Sequence, residues 1–362
     1  MTSLPPSQTF KGRGSPVNPQ NRFERLRVED EPDMDRGYVD PEEELRPLPK
    51  TVFLRDLTSS VITKNESPDI GFRYGVNPYR GCEHGCAYCY ARPYHEYLGF
   101  SPGLDFETKI VVKADAPRLL RAAFSDPKWK PETVCMSGVT DCYQPAERRF
   151  RLTRGCLEVF AEFRHPVSLI TKNHLITRDI DLLAELAAHG CVSTCLSITS
   201  LDPELSRKLE PRASLPAMRL AAVAKLRAAG IPVSVNIAPI IPGLNDHEVP
   251  KIMQAAAEAG AQDAGYTLVR FPYGVKEVFT QWLETHFPEK RDGVLGRIRS
   301  HREGKLTSSA WEERMTGTGV YAESVASFFE VWRRKAGLPK ERPPLTAAAF
   351  RRPGVAEQID LF

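Results

Sequence analysis

Residues 77–92 read NPYRGCEHGCAYCYAR, and three cysteines of this stretch are spaced Cys82-x3-Cys86-x2-Cys89. The chain has 362 residues and eight cysteines, so chance would produce this spacing in well under about 1% of such sequences. The stretch directly follows Tyr74–Tyr79, an apolar run that predicts a β-strand. In parallel α/β sheets, the loops after the carboxyl ends of the strands carry the chemistry. The three cysteines are therefore expected at a functional site.

Three thiols from one short loop restrict the kind of metal centre. Structural zinc usually takes four ligands from paired motifs, and neither a second CxxC nor an HxxxH pair accompanies these cysteines. His84 and His95 are nearby, but they do not complete a standard zinc knuckle. Three thiolates suit a cubane iron–sulfur cluster in which one iron lacks a protein thiolate. Zinc binding and buried thiols remain the alternatives at this point.

Around this stretch, short β-branched runs alternate with amphipathic helical runs that end at glycine. In the clearest example, a helix over Leu215–Ala229 ends at Gly230 and a strand follows. The predicted strands are Tyr74–Tyr79, Thr133–Ser137, Val167–Thr171, Val192–Ile198, Ile231–Pro239 and Tyr266–Arg270. Six strand–helix units predict a parallel sheet covered by helices. The periodicity alone fits both a three-quarter barrel and a doubly wound sheet.

Composition sets the domain organisation. Hydrophobic residues make up 41% and charged residues 26%, and the net charge is +3, which excludes wholesale disorder and a global basic field. Residues 1–50 contain eight prolines and bury too little apolar surface to offset their ordering entropy. We predict a largely disordered or draped arm over 1–69, an α/β core over 70–272, a helical extension over 273–338 and a mobile tail over 339–362.

The sequence also restricts the compartment. The N-terminus lacks the apolar region of a secretory signal, and no apolar run approaches the roughly 18 residues of a spanning helix. We expect a cytoplasmic protein with reduced thiols and no membrane partner.

The cysteine stretch resembles the radical S-adenosylmethionine (radical SAM) signature, CxxxCx(aromatic)C. The resemblance implies a [4Fe-4S] cluster held by Cys82, Cys86 and Cys89, with S-adenosylmethionine bound at the fourth iron. It implies reductive cleavage of that cofactor to a 5′-deoxyadenosyl radical, which abstracts hydrogen from a substrate. It also implies an electron donor of the flavodoxin or ferredoxin type. The expected fold is a partial (β/α)6 barrel of TIM type, which agrees with the six units counted above.

The flanking residues are similar to the spore photoproduct lyase-like branch of that superfamily. In that branch, a tyrosine pair that Tyr88 and Tyr90 match takes part in radical quenching. A Cys-x-Ser pattern fits Cys135 and Ser137, and it implies a hydrogen-donating role for Cys135. A buried core role is the alternative for Cys135, because free cysteines are among the most buried residues.

The same resemblance assigns cofactor contacts at four strand ends. The segment that ends the second strand would bind the methionyl amino group through Ser137, Gly138, Thr140 and Asp141. Lys172, after the third strand, matches a lysine that meets the cofactor carboxylate. Ser197, at the end of the fourth strand, matches a ribose-side serine, and residues 237–243 resemble a segment that packs on adenine. A zwitterionic methionyl group needs these cationic and polar contacts.

The C-terminus reads QIDLF and resembles the bacterial sliding-clamp-binding pentapeptide, with Gln358, Leu361 and Phe362 as the contact residues. Docking of this C-terminal segment onto the protein's own domain is the alternative.

The sequence as a whole leads to two hypotheses. The first is a radical SAM enzyme, lyase-like, whose substrate is damaged or modified nucleic acid. The second is a zinc- or metal-binding interaction protein that its tail recruits to DNA.

Overall fold

The structure, a computed structural model, describes residues 12–23, 50–308, 310–311, 313–338 and 344–353. The predicted clamp-binding residues Gln358, Leu361 and Phe362 lie outside these residues, as does much of the N-terminal arm.

The described chain forms ten strands and twelve α-helices. The strands are β1 (Val52–Arg55), β2 (Ile62–Lys64), β3 (Tyr74–Val76), β4 (Tyr79–Arg80), β5 (Lys109–Val112), β6 (Val134–Met136), β7 (Val167–Thr171), β8 (Val192–Ser197), β9 (Val233–Ile240) and β10 (Ala264–Leu268). The helices are α1 (Asp105–Thr108), α2 (Ala116–Ser125), α3 (Glu147–Phe150), α4 (Leu152–Phe163), α5 (Ile180–Ala188), α6 (Pro203–Leu209), α7 (Pro216–Ala228), α8 (Val249–Glu258), α9 (Val275–His286), α10 (Arg291–Ser300), α11 (Glu313–Thr316) and α12 (Gly319–Lys335). Short 3-10 helices include Arg92–Leu98 and His174–Asp179.

The main sheet has seven strands in the order β10-β9-β8-β7-β6-β3-β2. Six of them, β3 and β6 to β10, run parallel, and β2 pairs antiparallel with β3 at one edge. These six strands are the six that the sequence predicted. Because β10 and β2 are the outer strands, the sheet is open between them. The fold is a partial (β/α)6 barrel of TIM type, as expected.

Alternation along each strand separates a helix-facing side from an interior side. In β7, Val167 and Leu169 are buried in the core cluster under the helices, whereas Ser168 and Ile170 are partly exposed. Helix ends follow the glycine signals read from the sequence, and Gly230 has a left-handed φ of 75° directly after α7. The helices thus cover one face of the sheet and leave the other for a cavity.

The loop that carries the three cysteines lies between β4 and α1, in an insertion built on a second sheet of order β1-β5-β4. The N-terminal segment 12–23 packs directly on this loop, since a Cβ on Gly14 would lie 1.6 Å from the carbonyl oxygen of Gly85. Ser15 and Asn21 of this segment are buried. The sequence did not predict strands β1 and β2 or this close packing. Backbone groups and polar side chains make the contacts of segment 12–23, and they leave no hydrophobic pattern.

The helices after residue 272 pack on the barrel at two places. Helices α9 and α10 share an apolar cluster with Cys86, Ala87 and Tyr88 of the cysteine loop. Helix α12 contributes Phe329, whose ring lies 4.5 Å from that of Tyr266 in β10. The predicted helical extension therefore supports both the cysteine loop and the last strand.

The C-terminal residues 344–353 lie across the helical layer. The Phe350 ring packs against Phe163 and His165, and the Arg351 backbone amide donates to the Phe163 carbonyl at 3.0 Å. The Arg352 guanidinium donates to the carbonyl of Trp129 at 2.8 Å. Arg351 and Arg352 are thus engaged with their own domain. None of the helices that the structure describes combines the length and the apolar character needed to cross a bilayer.

A buried histidine makes the fold sensitive to acid. His165 is 0% exposed and stacks on Phe124, and its Nε2 accepts a hydrogen bond from the Trp129 indole at 3.0 Å. Burial lowers the pKa of His165 to about 4, whereas a histidine in the unfolded chain titrates near 6.5. Because the unfolded state binds the proton first, stability is lost as the pH falls below about 6.5.

We predict that His165→Phe removes this contribution. When the pH is lowered from about 7 to about 5, the wild-type protein should lose about 2 kcal/mol more of its free energy of unfolding than the variant loses. Urea unfolding at a series of pH values measures the difference, and His247→Gln, at an exposed position, should keep the wild-type dependence. Equal pH dependence in His165→Phe and wild type would show that His165 is not buried in its neutral form.

Candidate active site

A cavity of about 300 Å³ lies where the parallel strands end at their carboxyl ends. It is lined by side chains of the cysteine loop and by residues from the ends of β6 to β10. Ten of the twelve site residues predicted from the sequence lie in its walls: Cys82, Cys86, Tyr88, Cys89, Tyr90, Ser137, Gly138, Asp141, Lys172 and Ser197. Cys135 and Thr140 are not part of the lining. We call this space the inner cavity.

The cysteine loop is held in place by a buried ion pair. The Arg92 guanidinium, 0% exposed, donates from Nε and Nη2 to the Cys86 carbonyl at 3.0 and 2.8 Å and pairs with Glu107 at 2.5 Å. Glu107 accepts the backbone amides of Gly14 and Ser15 at 3.0 and 2.8 Å. One charged pair therefore fixes both the loop and the N-terminal segment that covers it.

The three thiols have the donor chemistry of an iron–sulfur cluster. Burial raises the pKa of each of the Cys82, Cys86 and Cys89 thiols. In the part of the chain that the structure describes, no three His, Cys, Asp or Glu side chains converge closely enough to hold one ion. A tetrahedral zinc site would bring its sulfurs within about 4 Å of one another. Thiols arranged around one end of a cavity suit a larger iron–sulfur cluster, for which soft thiolates are the usual ligands.

Tyr88 and Lys172 are positioned by a second buried charge, that of Glu210. Glu210 Oε1 accepts hydrogen bonds from the hydroxyls of Tyr88 and Thr199 and lies 3.3 Å from Lys172 Nζ. Its Oε2 pairs with the buried Arg219 guanidinium. Burial alone would raise the pKa of Glu210, but the charges of Arg219 and Lys172 outweigh it and the pKa is lowered. Lys172 Nζ also donates to the Ala238 carbonyl at 3.1 Å, which holds the ammonium in the cavity wall.

Asp141 connects the second and third strand ends to the cysteine loop. Its Oδ1 accepts the Thr171 hydroxyl at 2.7 Å and the Tyr143 amide at 2.8 Å. Its Oδ2 accepts the Lys172 amide at 2.8 Å and lies 3.3 Å from His84 Nδ1. Burial alone would raise the pKa of Asp141, but His84 and these hydrogen bonds have the larger effect, and the net shift of the pKa is downward. With four partners, Asp141 holds the site together while it lines the cavity.

The segment after β6 is a tight turn that presents Gly138. Ser137 has a left-handed φ of 79°; its hydroxyl donates to the Thr140 carbonyl at 2.9 Å and accepts the Cys142 amide at 2.6 Å. The Thr140 hydroxyl donates to the Tyr79 carbonyl at 2.8 Å, so it turns away from the cavity. The Gly138 carbonyl accepts the Tyr90 hydroxyl at 2.7 Å.

Cys135 lies beneath this turn. It is 1% exposed, and its sulfur is 4.0 Å from where a Cβ on Gly138 would lie. Burial raises the pKa of this thiol to about 12. Gly138 lines the inner cavity while Cys135 does not, so the structure favours the core role that the sequence left open as the alternative.

Three charged residues at the site carried no sequence signal. Glu210 and Arg219 follow the fourth strand in regions without a motif, and only folding brings them to Tyr88 and Lys172. Arg270, the last residue of a predicted strand, lines the inner cavity at its outer end. Its guanidinium carbon lies 5.2 Å from the centre of the Tyr90 ring.

Comparison with known proteins places this site in a family. The family model of the radical SAM superfamily matches residues 76–256. An uncharacterized protein of Mycobacterium tuberculosis is 37% identical over 294 residues, which are 80% of this chain and 82% of that protein. The "Radical SAM Nalpha-GlyT isomerase" of Pseudomonas phage M6 is 24% identical over 273 residues, 72% of this chain and 55% of that protein. A solved structure of spore photoproduct lyase complexed with dinucleoside spore photoproduct has a similar fold, with a TM-score of 0.57, 17% identity and coverage of 78% and 79%.

We predict that Glu107→Gln destabilises the protein by about 3–5 kcal/mol, because it leaves the buried Arg92 charge without its counter-ion. Urea unfolding of anaerobically prepared protein measures this change. Glu289→Gln, at an exposed position, is the matched control and should cost less than about 0.5 kcal/mol. If Glu107→Gln cost no more than the control, the pair would not be what fixes the cysteine loop.

Proposed function

This chain belongs to the radical SAM superfamily, and we propose that it abstracts hydrogen from a nucleic-acid base in a lyase-like reaction. Enzymes of the superfamily use a [4Fe-4S] cluster and S-adenosylmethionine and require a reductant. One observation carries the assignment of the site: the three thiols, Lys172 and the tyrosine pair all lie in the walls of one cavity at the strand ends.

Within the proposal, Cys82, Cys86 and Cys89 hold the cluster. When bound, the cluster and S-adenosylmethionine would supply a 5′-deoxyadenosyl radical and methionine, with one electron from a flavodoxin- or ferredoxin-type donor. The substrate would lose a hydrogen atom from a C–H bond to this radical, which would become 5′-deoxyadenosine and leave a substrate radical. The site must be dry for this step, because stray hydrogen donors would quench a carbon radical.

The chain's own residues bind and orient the cofactor. Lys172, held by Glu210, the Ala238 carbonyl and the Thr199 hydroxyl, would meet the cofactor carboxylate with its positive charge. The turn at Ser137 and Gly138 would receive the amino group through backbone atoms. Ser197 lies in the cavity wall where a ribose hydroxyl could bind. Tyr88 and Tyr90 both line the inner cavity, and we propose that both face the radical.

Nucleic acid is the proposed substrate class, and two observations support it. The solved neighbour of similar fold binds a dinucleoside photoproduct, and the phage relative carries the name of a GlyT isomerase. The C-terminal QIDLF motif adds a route to DNA through a sliding clamp. Residues 344–353 lie on the helical layer, and the motif begins five residues beyond them.

We predict that the anaerobically reconstituted protein contains about four iron and four sulfide ions per chain, absorbs near ~400 nm and forms 5′-deoxyadenosine under reduction. Cys86→Ala should lose the absorbance and the product. Cys156→Ala, which removes a buried thiol outside the cavity, should keep both. Stoichiometric zinc without iron or sulfide would instead favour the metal-binding interaction protein.

We also predict that Lys172→Met raises the dissociation constant of S-adenosylmethionine by about 10- to 100-fold, because a charge-assisted contact is lost. Glu210 keeps its pairing with Arg219, so the fold should persist. Calorimetric titration of reconstituted protein measures the affinity, and Lys225→Met, at an exposed position on α7, is the control. Unchanged affinity in Lys172→Met would contradict the assignment of this lysine to the cofactor.

A further inference from the structure

A second cavity, of about 640 Å³, adjoins the inner one. Tyr90 and Arg270 line both cavities. Arg314 lines the second cavity, and the next residue, Met315, lines the inner one. Its walls come from the N-terminal segment, the 3-10 helix Arg92–Leu98 and residues 270–318. We call it the outer cavity. Whatever reaches the cofactor from this side passes Tyr90 and Arg270.

Four tyrosines line the outer cavity, and each is substantially exposed. Tyr90 is 42%, Tyr94 54%, Tyr97 66% and Tyr273 65% exposed. Tyr273 has a left-handed φ of 50°, and the Arg22 guanidinium carbon lies 3.8 Å from the centre of its ring. Aromatic rings gathered in one concave site and left open to water offer their faces to a flat ligand.

The charges around these rings are predominantly basic. Five basic residues line the outer cavity, against the acidic Glu303 and Glu313: Arg22, Arg270, Arg302, Lys305 and Arg314. Three of the five are already engaged. Arg22 pairs with Glu96 and Arg314 pairs with Asp69, while Arg302 donates to backbone carbonyls. Among the residues that the structure describes, Arg270 and Lys305 have no carboxylate within 4.0 Å. These two cations are available to an anionic ligand.

Exposed aromatic rings beside available cations are the recognition chemistry of unpaired nucleic acid. Base stacking supplies affinity without a sequence requirement, and cations contact the phosphates. In a duplex the faces of each base are covered by its neighbours, so the tyrosines could stack only on an unpaired base. An acidic peptide could use the cations, but it would leave the tyrosines without a flat partner.

We propose that the outer cavity binds an unpaired nucleotide of a nucleic-acid strand, with the base against the tyrosines and the phosphate at Arg270 and Lys305. This inference rests on the proposed function for its substrate class and adds that a single strand is selected over a duplex. The bound strand would place an adjoining base at the border that Tyr90 and Arg270 form with the inner cavity.

Fluorescence anisotropy on the full-length reconstituted protein, without reductant, tests this binding. The probes are a labelled ten-nucleotide deoxythymidine strand, the same strand in a duplex, an oligouridine of equal length and a polyglutamate of equal charge. Both single strands should bind at least about 10-fold more tightly than the duplex and the peptide, and the tighter of the two identifies DNA or RNA as the source. Equal binding of the duplex or of polyglutamate would overturn the proposal.

Matched variants separate stacking from charge. Tyr94→Ala should weaken single-strand binding by about 10-fold, whereas Tyr94→Phe, which keeps the ring, should bind like wild type. Lys305→Gln should reduce the slope of log affinity against log salt by about one, and Arg118→Gln, an exposed arginine on α2, should leave it unchanged. An unaltered affinity in Tyr94→Ala would refute the stacking site.

Formation of 5′-deoxyadenosine, measured on the same preparations without nucleic acid, keeps the two proposals apart. Cofactor cleavage combined with equal binding of strand and duplex refutes single-strand selection and leaves the proposed chemistry standing. Strand binding without any cofactor cleavage supports the outer site and refutes the radical reaction.

Discussion

The buried pair of Arg92 and Glu107 is the interaction on which the rest of the site depends. A guanidinium with no exposure persists only if its charge and all its donors find partners, and here those partners are Glu107 and the carbonyls around it. One of them is the carbonyl of Cys86, so satisfying the charge also fixes one of the three proposed cluster ligands. Glu107 in turn binds Gly14 and Ser15, which closes the N-terminal segment over the loop.

Next to Tyr88 and Lys172, Glu210 has the corresponding role with the opposite sign. It is fully buried, Arg219 balances its charge, and its remaining capacity orients Tyr88 and Lys172. Two buried ion pairs, which belong to the protein and not to a ligand, thus hold residues of the cavity wall in place. Such preorganisation lets the site bind a charged cofactor without rearranging its walls.

The sequence predicted the parts of the structure that local patterns encode. All six parallel strands and the glycine-ended helices follow from strand and helix periodicity, and the cysteine motif together with the family resemblance named ten residues that line the inner cavity. The resemblance to the lyase-like branch placed Cys135 and Thr140 in the site, but neither lines the inner cavity. Cys135 is buried in β6, and the Thr140 hydroxyl donates to the Tyr79 carbonyl. Glu210 is recognised only in three dimensions, because Tyr88 and Lys172, the two site residues that it contacts, lie far from it in the chain.

The two cavities and the residues they share suggest one path, from an unpaired strand in the outer cavity to the cofactor in the inner one. Mass spectrometry of 5′-deoxyadenosine formed in the presence of a single strand with deuterated bases and sugars tests this path most directly. The account predicts deuterium in the product with the single strand and little with the same strand in a duplex. Formation of 5′-deoxyadenosine that contains no deuterium from any nucleic acid would contradict this account.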